Sequence, residues 1–373
     1  LARKHNWALV QTLQHGIFAF YAVLVNLENP AESLRLDACS SYARSGRLLV
    51  PEAVLLGNRI PGRGFHIPAP AAEFIYVLAK MFDAKHKSPA DYLPRLRELW
   101  LQEPAKAQEY FANLFGETGR SLEQWFECPA EEWRKLGVVM LARNKFGPAL
   151  RLRECARVLR RIFQPTGICL TVMGSDGAGK STLLVNLRKL LEPCFRYQQT
   201  FHFRPAVFEK RKTEVVTEPH AQPSRNVVSS WLKVIYYFAD YWMGWWLLVA
   251  PARVRSTLTI FDRGFDDLLV DQKRYRLRGM SLMAGMMRRW LPKADRTFLL
   301  SAPAELLRQR KPELPLEELE RQQAALQKLA QEGGRYVLVS AAESPEQVAH
   351  AVWRDVVMCL AAREAKRASF RIS

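Results

Sequence analysis

The sequence predicts an α/β fold in which a parallel β-sheet with flanking helices follows a smaller α+β domain. Residues 174–181 read GSDGAGKS and stand between an apolar, β-branched run and a helical pattern. From there to residue 362, strand-like and helix-like segments alternate, as they do in a parallel sheet with crossover helices. Residues 1–147 instead place two strands before a run of helices, which predicts the smaller domain.

Each element of the smaller domain has a local signal. Residues 5–14 have a helical pattern, whereas 17–26 and 33–42 are β-rich and flank a polar turn that contains Asn29 and Pro30. Apolar residues recur at helical spacing over 71–83, 92–101, 104–115 and 122–126. A basic linker over 148–165 carries a predicted amphipathic helix at 150–163.

The second predicted domain spans residues 166–362, and a basic, frayed tail is predicted for 363–373. Its predicted segments are a strand at 168–173, a helix at 182–191, a strand at 256–261, and helices at 304–311 and 316–329. A long apolar segment over 231–251 contains Lys233 and Asp240, and a charge at mid-membrane costs about 2.5–3.5 kcal/mol. We therefore expect a buried helix there, with an interfacial membrane helix as the alternative.

The segment 174–181 satisfies the phosphate-loop pattern G-x-x-x-x-G-K-[ST], which is typical of the parallel sheet of P-loop NTPases. Its glycines allow backbone N–H groups to surround phosphate oxygens at a helix N-terminus. Lys180 is predicted to reach the β- and γ-phosphates, and the Ser181 hydroxyl to complete the shell of a Mg²⁺ ion. The predicted ATP-binding residues are Gly174, Ser175, Asp176, Gly177, Ala178, Gly179, Lys180, Ser181 and Thr182. A turn that binds nothing is the alternative.

A second half of the site is expected where the strand at 256–261 ends. Asp262 follows this strand, at the sheet edge where the glycine-rich loop is also expected. It is a candidate for coordination of a Mg²⁺-bound water or for activation of the acceptor oxygen. Arg263 is a candidate for binding an acceptor phosphate, and a structural salt bridge is the alternative.

Basic side chains around Pro312 and Pro315 predict a mobile cover for the site. Two predicted helices meet there and carry Arg308, Arg310, Lys311 and Arg321. Closure of such a lid would exclude water and bring guanidinium groups to the transferring phosphoryl. The alternative is that these arginines face solvent.

Charge and cysteine content limit the partners and the compartment. The chain has 55 Lys and Arg against 37 Asp and Glu, a net charge of +18, which suits a polyanionic partner. The pattern of an RNA-recognition module is absent from the sequence, so no specific nucleic acid is expected. The six cysteines are widely spaced, which argues for reduced thiols in a cytoplasmic protein. Peripheral contact with the inner face of a membrane and a homodimer are further alternatives.

Three segments together resemble the thymidylate kinase family of nucleoside monophosphate kinases over about residues 166–360. They are the loop at 174–182, the strand end at Asp262 and Arg263, and the region of Arg310 and Lys311 before a helix. The resemblance implies binding of ATP and Mg²⁺ by the loop. It also implies a phosphoryl transfer in which Asp176 approaches an acceptor sugar, Arg263 contacts an acceptor phosphate, and 308–321 forms the lid.

The chain departs from the thymidylate kinase pattern at two places in the acceptor site. The family's Arg-Glu-Pro motif corresponds to 203–205, where Arg204 and a proline remain and the glutamate is lost. The family's Asp-Arg pair on the next helix is here Asp240 and Tyr241. The resemblance therefore makes Arg204 and Asp240 candidates for the acceptor site, whereas dTMP as the acceptor does not follow.

A closer resemblance is to thymidylate kinase-like proteins from bacterial polysaccharide-biosynthesis regions. The shared patterns lie at 202–205, 261–276 and 310–322, while Leu326 replaces an expected tyrosine. The N-terminal half weakly resembles a nucleotidyltransferase, with Asp37 at a catalytic position, or is a scaffold. The leading hypothesis is an ATP-dependent kinase of a nucleotide or a similar phosphorylated acceptor. A sugar or lipid-linked glycan kinase and a non-catalytic ATP-binding regulator at the membrane are the alternatives.

Overall fold

The computed structural model describes residues 6–44, 46–57, 59–62, 66–83, 88–116, 119–143, 147–208, 226–277 and 281–372. Contacts divide the chain into two compact units. One unit comprises Leu1–Gln11, Val23–Leu34 and Arg161–Ser373, and it contains the parallel sheet. The other comprises Thr12–Ala22 and Arg35–Arg160.

The first three strands form one sheet in the order β1–β2–β3. They are β1 (Trp7–Gln14), β2 (Ala19–Asn26) and β3 (Ser33–Cys39). The helix predicted over 5–14 is therefore wrong where the structure describes it. Ala8, Val10 and Leu13 are buried in β1. The short apolar run is compatible with both a helix and a strand, and the hydrogen-bonded pairing of its backbone with β2 selects the strand.

The unit that contains residues 35–160 is built mainly from helices around one apolar core. Its elements are β4 (Tyr42–Arg44), β5 (Arg47–Val50), α1 (Glu52–Gly57), β6 (Arg59–Pro61), β7 (His66–Pro68), α2 (Pro70–Asp83), α3 (Leu93–Gln102), α4 (Pro104–Phe115), α5 (Leu122–Phe126), α6 (Ala130–Arg143) and the start of α7 (Pro148–Phe163). Phe74, Leu96, Phe111 and Trp133 lie in the core. The predicted helices of this segment are confirmed, to within two residues at each end.

The parallel-sheet unit alternates strands and helices as the sequence predicts. Its elements are β8 (Ile168–Gly174), α8 (Lys180–Leu190), β9 (Tyr197–His202), α9 (Val227–Gly244), a π-helical turn (Trp245–Val249), α10 (Ala250–Val254), β10 (Thr257–Asp262), α11 (Asp267–Val270), α12 (Ser281–Met287), β11 (Arg296–Ser301), α13 (Ala304–Arg310), α14 (Leu316–Gln331), β12 (Tyr336–Ser340) and α15 (Pro345–Ile372).

The five strands β8–β12 form an all-parallel sheet in the order β12–β11–β8–β10–β9, flanked by helices. All seven residues of the central strand β8 are buried, as expected for a parallel strand covered on both faces. Met173 of β8 packs with Leu326 and Leu329 of α14. This packing holds the C-terminal end of β8, where the glycine-rich loop begins, against α14.

Helix α9 differs from the expected buried helix. Val234, Tyr237, Asp240 and Gly244 are buried on one side. The opposite side exposes Val228, Trp231, Leu232, Ile235 and Trp242, and the exposed apolar residues continue at Trp246 and Leu247 in the π-helical turn. The segment is apolar around its circumference, so its sequence alone suggests burial on every side.

In the described part of the chain, none of the helices combines the length and the apolar character needed to cross a membrane.

The C-terminal residues are helical up to Ile372, so the prediction of a frayed tail over 363–373 is wrong for the described residues. The guanidinium of Arg363 donates hydrogen bonds to the carbonyls of Thr166 and Gly167, and that of Arg367 donates to Pro165. These bonds join α15 to the residues that precede β8, which explains why the end of the helix is ordered.

Candidate active site at the sheet edge

The candidate site lies at the carboxyl ends of three neighbouring strands. Gly174 ends β8, Asp262 ends β10, and His202 ends β9. In the parallel register Asp262 is opposite Val172 on one side and His202 on the other. Ligands of open α/β sheets bind outside this edge, and the strand order brings the glycine-rich loop and the side chains of Asp262 and His202 to it.

The glycine-rich loop joins β8 to α8 and has two residues with left-handed backbone conformation. Gly177 has φ 86° and Gly179 has φ 78°. A Cβ atom at Gly177 would lie 2.7 Å from the carbonyl oxygen of Leu307, at the end of α13. Gly179 precedes the first residue of α8 and provides no side-chain cap. The first backbone N–H groups of α8 are therefore not capped by the side chain of the preceding residue. Uncapped N–H groups at a helix N-terminus are the donors that an anion site uses.

Lys180 lies over the loop. Its Nζ donates hydrogen bonds of 2.8 Å to the carbonyl oxygens of Gly174 and Ser175, and it lies 3.8 Å from Asp176 Oδ1. Burial, together with the nearby Arg263 guanidinium, lowers the pKa of Lys180 to about 8. Ser181 and Thr182 are exposed in the first turn of α8.

Helix α14 supports the loop through a side chain that the sequence did not indicate. Gln323 Nε2 donates to Ser175 Oγ at 2.9 Å, while its Oε1 accepts from Ser301 Oγ and from the backbone N–H of Ala302. Gln323 is buried, and Ser175 is also buried. The amide therefore fixes the start of the loop to the end of β11.

Arg263 is the centre of a buried ionic network, in a left-handed conformation with φ 71°. Its Nη2 lies 2.7 Å from Asp176 Oδ1, and its Nη1 lies 3.0 Å from Asp267 Oδ2. Its side chain is 4% exposed. Although burial disfavours the charge, the Asp267 carboxylate holds the pKa of Arg263 above its ordinary value.

Two further residues complete this network. Tyr275 Oη donates to Asp267 Oδ2 at 2.7 Å, and Arg274 Nη1 lies 3.1 Å from Asp176 Oδ2. Arg263 therefore makes the ion pairs that a structural role requires. Its binding of an acceptor phosphate stays a prediction.

Asp262 forms a pair with a histidine that the sequence did not indicate as functional. His202 Nδ1 lies 3.0 Å from Asp262 Oδ2, and the His202 side chain is 68% exposed. Burial alone would raise the pKa of Asp262, but the hydrogen bond with His202 outweighs it and lowers that pKa. Asp262 Oδ1 is buried and accepts no hydrogen bond within the described residues.

Arg204 and Asp240, both candidates for the acceptor site, are paired with each other. Arg204 Nη1 lies 3.3 Å from Asp240 Oδ2 and 3.2 Å from Tyr236 Oη. Asp240 is fully buried, and it also accepts from the backbone N–H groups of Ala206 and Val207 at 2.9 and 2.7 Å. These contacts give Asp240 the role of fixing the turn after β9.

The lid residues contact the rest of the unit in the structure. The end of α13 lies against the glycine-rich loop through Leu307, as a lid position requires. Arg310 Nη1 donates at 2.7 Å to the carbonyl of Ala341, and its role at a transferred phosphoryl group stays a prediction. Lys311 pairs with Glu313 at 3.1 Å.

Glu318 holds α14 to the segment after α11, which gives a prediction for stability against pH. Its carboxylate lies 2.9 Å from Lys273 Nζ and 2.6 Å from Arg321 Nη2. Burial alone would raise its pKa, but these hydrogen bonds lower it to about 2. A carboxylate whose pKa falls on folding stabilises the protein above the unfolded pKa, and this stabilisation is lost as the pH falls through the folded value.

We therefore expect Glu318→Gln to lower the melting temperature at pH 6 and the difference from the wild type to shrink as the pH falls from 4.5 towards 2. Thermal melts across this range measure it. Glu320→Gln, exposed on the same helix, is the control, and its difference from the wild type is expected to stay small at every pH. A Glu318→Gln difference that grows towards low pH would contradict the assigned pairing.

Comparison with known proteins gives no family for this chain: no family model matches it, and no curated protein matches it at a significant level. Among the described residues, no group of three or more His, Cys, Asp or Glu side chains could hold a metal ion. The support for a function therefore comes from the side chains and the backbone at the edge of the parallel sheet.

Proposed function

We propose that the chain is an ATP- and Mg²⁺-dependent phosphotransferase built on a P-loop NTPase sheet, related to thymidylate kinase-like proteins. The observation that carries this proposal is the glycine-rich loop between β8 and α8, next to Asp262 at the same sheet edge. The backbone of the loop supports the proposal, because Gly177 packs so closely against the Leu307 carbonyl that a Cβ would not fit. Lys180 supports it as well, because its Nζ lies within the loop, bonded to the carbonyls of Gly174 and Ser175.

In the proposed reaction the loop binds the phosphates of ATP and supplies positive charge beside them. Backbone N–H groups of 174–181 and the ammonium of Lys180 would hold the β- and γ-phosphates, and the Ser181 hydroxyl would hold Mg²⁺, which would supply neutralisation of phosphate charge. The sequence allows Asp262 to hold a Mg²⁺-bound water or to activate the acceptor oxygen. Its pairing with His202 favours the second role. Positioning and electrostatic stabilisation then account for the rate.

The proposal is tested by ADP release from ATP and Mg²⁺ with a panel of nucleoside monophosphates, sugars and sugar phosphates. Transfer that depends on one acceptor and is lost in Lys180→Ala would support a phosphotransferase. Absence of ATP binding by calorimetry would rule it out.

A second candidate, an ATP-binding regulator at a membrane surface, is favoured by one observation, the exposed apolar side of α9 with Trp231, Trp242 and the neighbouring Trp246. Aromatic side chains of this kind suit the membrane interface. Co-sedimentation with anionic vesicles, together with tight ATP binding and no turnover, would favour this candidate. Rapid ADP release only with an acceptor would exclude it.

Gly177→Ala is expected to lower ATP affinity by about 10-fold, because it forces a side chain into a left-handed conformation and against the Leu307 carbonyl. Gly334→Ala is the matched control: Gly334 has φ 66°, and its Cβ would meet nothing within 4 Å. Calorimetric titration with ATP measures both variants. We expect both to lose some stability and only Gly177→Ala to lose affinity; equal affinities would argue against phosphate binding by the loop.

A further inference from the structure

We infer that the acceptor is an uncharged compound that presents a hydroxyl group, such as a sugar, and that His202 accepts its proton. The inference rests on the proposed function and specifies its acceptor. It departs from transfer to a phosphate group, which the resemblance to nucleoside monophosphate kinases would imply. The argument has two parts, the occupied arginines and the His202–Asp262 pair.

The two arginines expected to bind an acceptor phosphate are already neutralised by carboxylates. Arg263 is buried between Asp176 and Asp267, and Arg204 is paired with the fully buried Asp240. A phosphate group would have to replace these carboxylates as a partner of a buried guanidinium. The displaced carboxylates would remain buried beside it, and uncompensated buried charges are strongly unfavourable.

A carboxylate at the sheet edge suits a hydroxyl group. Asp262 ends the strand next to β8, and its Oδ2 is paired with His202. The O–H groups of a neutral hydroxyl compound donate hydrogen bonds that carboxylate oxygens accept. Asp262 Oδ1, buried and without a partner in the described part of the chain, can accept one of them.

The His202–Asp262 pair is the arrangement that a hydroxyl acceptor requires. A phosphate oxygen is ionised at neutral pH and attacks without a base, whereas a hydroxyl must lose its proton during transfer. When His202 Nδ1 carries its hydrogen and donates it to Asp262 Oδ2 at 3.0 Å, the lone pair of Nε2 is free. The exposed ring presents this atom at the carboxyl edge of the sheet.

The proposed step balances without a further reactant. The hydroxyl oxygen attacks the γ-phosphorus and forms a new P–O bond, and the bond from the γ-phosphorus to the oxygen bridging it to the β-phosphate breaks. The hydroxyl proton passes to His202 Nε2, and the imidazolium later returns it to water. The products are a phosphate monoester and ADP.

Transfer from ATP labelled at the γ-phosphate to sugars and to nucleoside monophosphates tests the inference. Water is the smallest hydroxyl acceptor, so slow ATP hydrolysis without added acceptor gives a second readout. We expect transfer to sugars and to water, and none to nucleoside monophosphates. We also expect His202→Ala to lower kcat by about 10²–10⁴-fold, with the affinity for ATP unchanged. Added imidazole should restore part of the rate of His202→Ala, because it can enter the vacated space as a base.

His15→Ala is the matched control, since His15 lies 3.5 Å from Asp37 in a similar His–Asp pair of the other compact unit. Its turnover is expected to equal that of the wild type. Transfer to a nucleoside monophosphate, or a His202→Ala kcat within a factor of two of the wild type, would overturn the inference while leaving the phosphotransferase intact. Failure of the wild type to bind or turn over ATP would instead reject the proposed function.

Discussion

Replacement of Lys180 by alanine is expected to lower the rate of phosphoryl transfer by about 10³-fold. The change removes a positive charge from a largely buried position in the loop, where charge stabilisation of a transferring phosphoryl group is strongest. It also leaves the carbonyls of Gly174 and Ser175 without their donor. Steady-state ADP release at saturating ATP gives kcat, and calorimetry separates this effect from weaker ATP binding.

Lys189→Ala is the control for this experiment, because Lys189 is exposed in the last turn of the same helix, α8. Its kcat should lie within a factor of two of the wild type. Melting temperatures of both variants show whether the fold is retained. A Lys180→Ala enzyme that keeps most of its activity would mean that the loop does not hold the transferred phosphate.

Replacement of Asp267 by alanine is expected to lower the free energy of unfolding of the parallel-sheet unit by about 3–5 kcal/mol. Asp267 is 1% exposed and accepts hydrogen bonds from Arg263 and Tyr275 at 3.0 and 2.7 Å. Its removal leaves Asp176 as the remaining carboxylate partner of the buried Arg263 guanidinium among the described residues. It also leaves the Tyr275 hydroxyl without its acceptor. Urea unfolding followed by tryptophan fluorescence measures the loss.

Two further variants make this stability measurement specific. Asp267→Asn retains an acceptor oxygen without the charge, so its loss should be smaller than that of the alanine variant. Glu305→Ala removes an exposed carboxylate from α13 and should change stability by about 0.5 kcal/mol or less. A loss below about 1 kcal/mol for Asp267→Ala would show that the network contributes little.

Features with local signals could be predicted from the sequence. Helix α4 begins with Pro104 in its first turn, and α5 begins after Ser121, whose side chain and Gln124 form a capping box. The glycine-rich loop is equally local, because its eight residues and both flanking elements are adjacent in the chain. The residues that form such a feature are neighbours in the chain, so a local sequence pattern is enough to predict it.

Contacts between distant residues could not be predicted in this way. His202 and Asp262 are 60 residues apart, and Arg263 and Asp176 are 87 apart. Both pairs depend on the order and register of parallel strands, which no local pattern encodes. Strand β1 illustrates the same limit, because its pairing with β2 overrides a pattern that suits a helix. The exposed side of α9 shows that apolar composition does not reveal which side packs.

The bonds from Arg363 and Arg367 to the carbonyls before β8 have a consequence for synthesis on the ribosome. Arg363 is 196 residues downstream of Gly167, whose carbonyl it binds. At translation rates of about 5–20 residues per second, the nascent chain waits about 10–40 s between these two residues. Throughout this interval the residues before the central strand β8 lack the hydrogen bonds from Arg363 and Arg367. We therefore expect the parallel-sheet unit to be completed only after Arg363 has been synthesised, and to depend on chaperones more than the helical unit around Phe111 and Trp133 does.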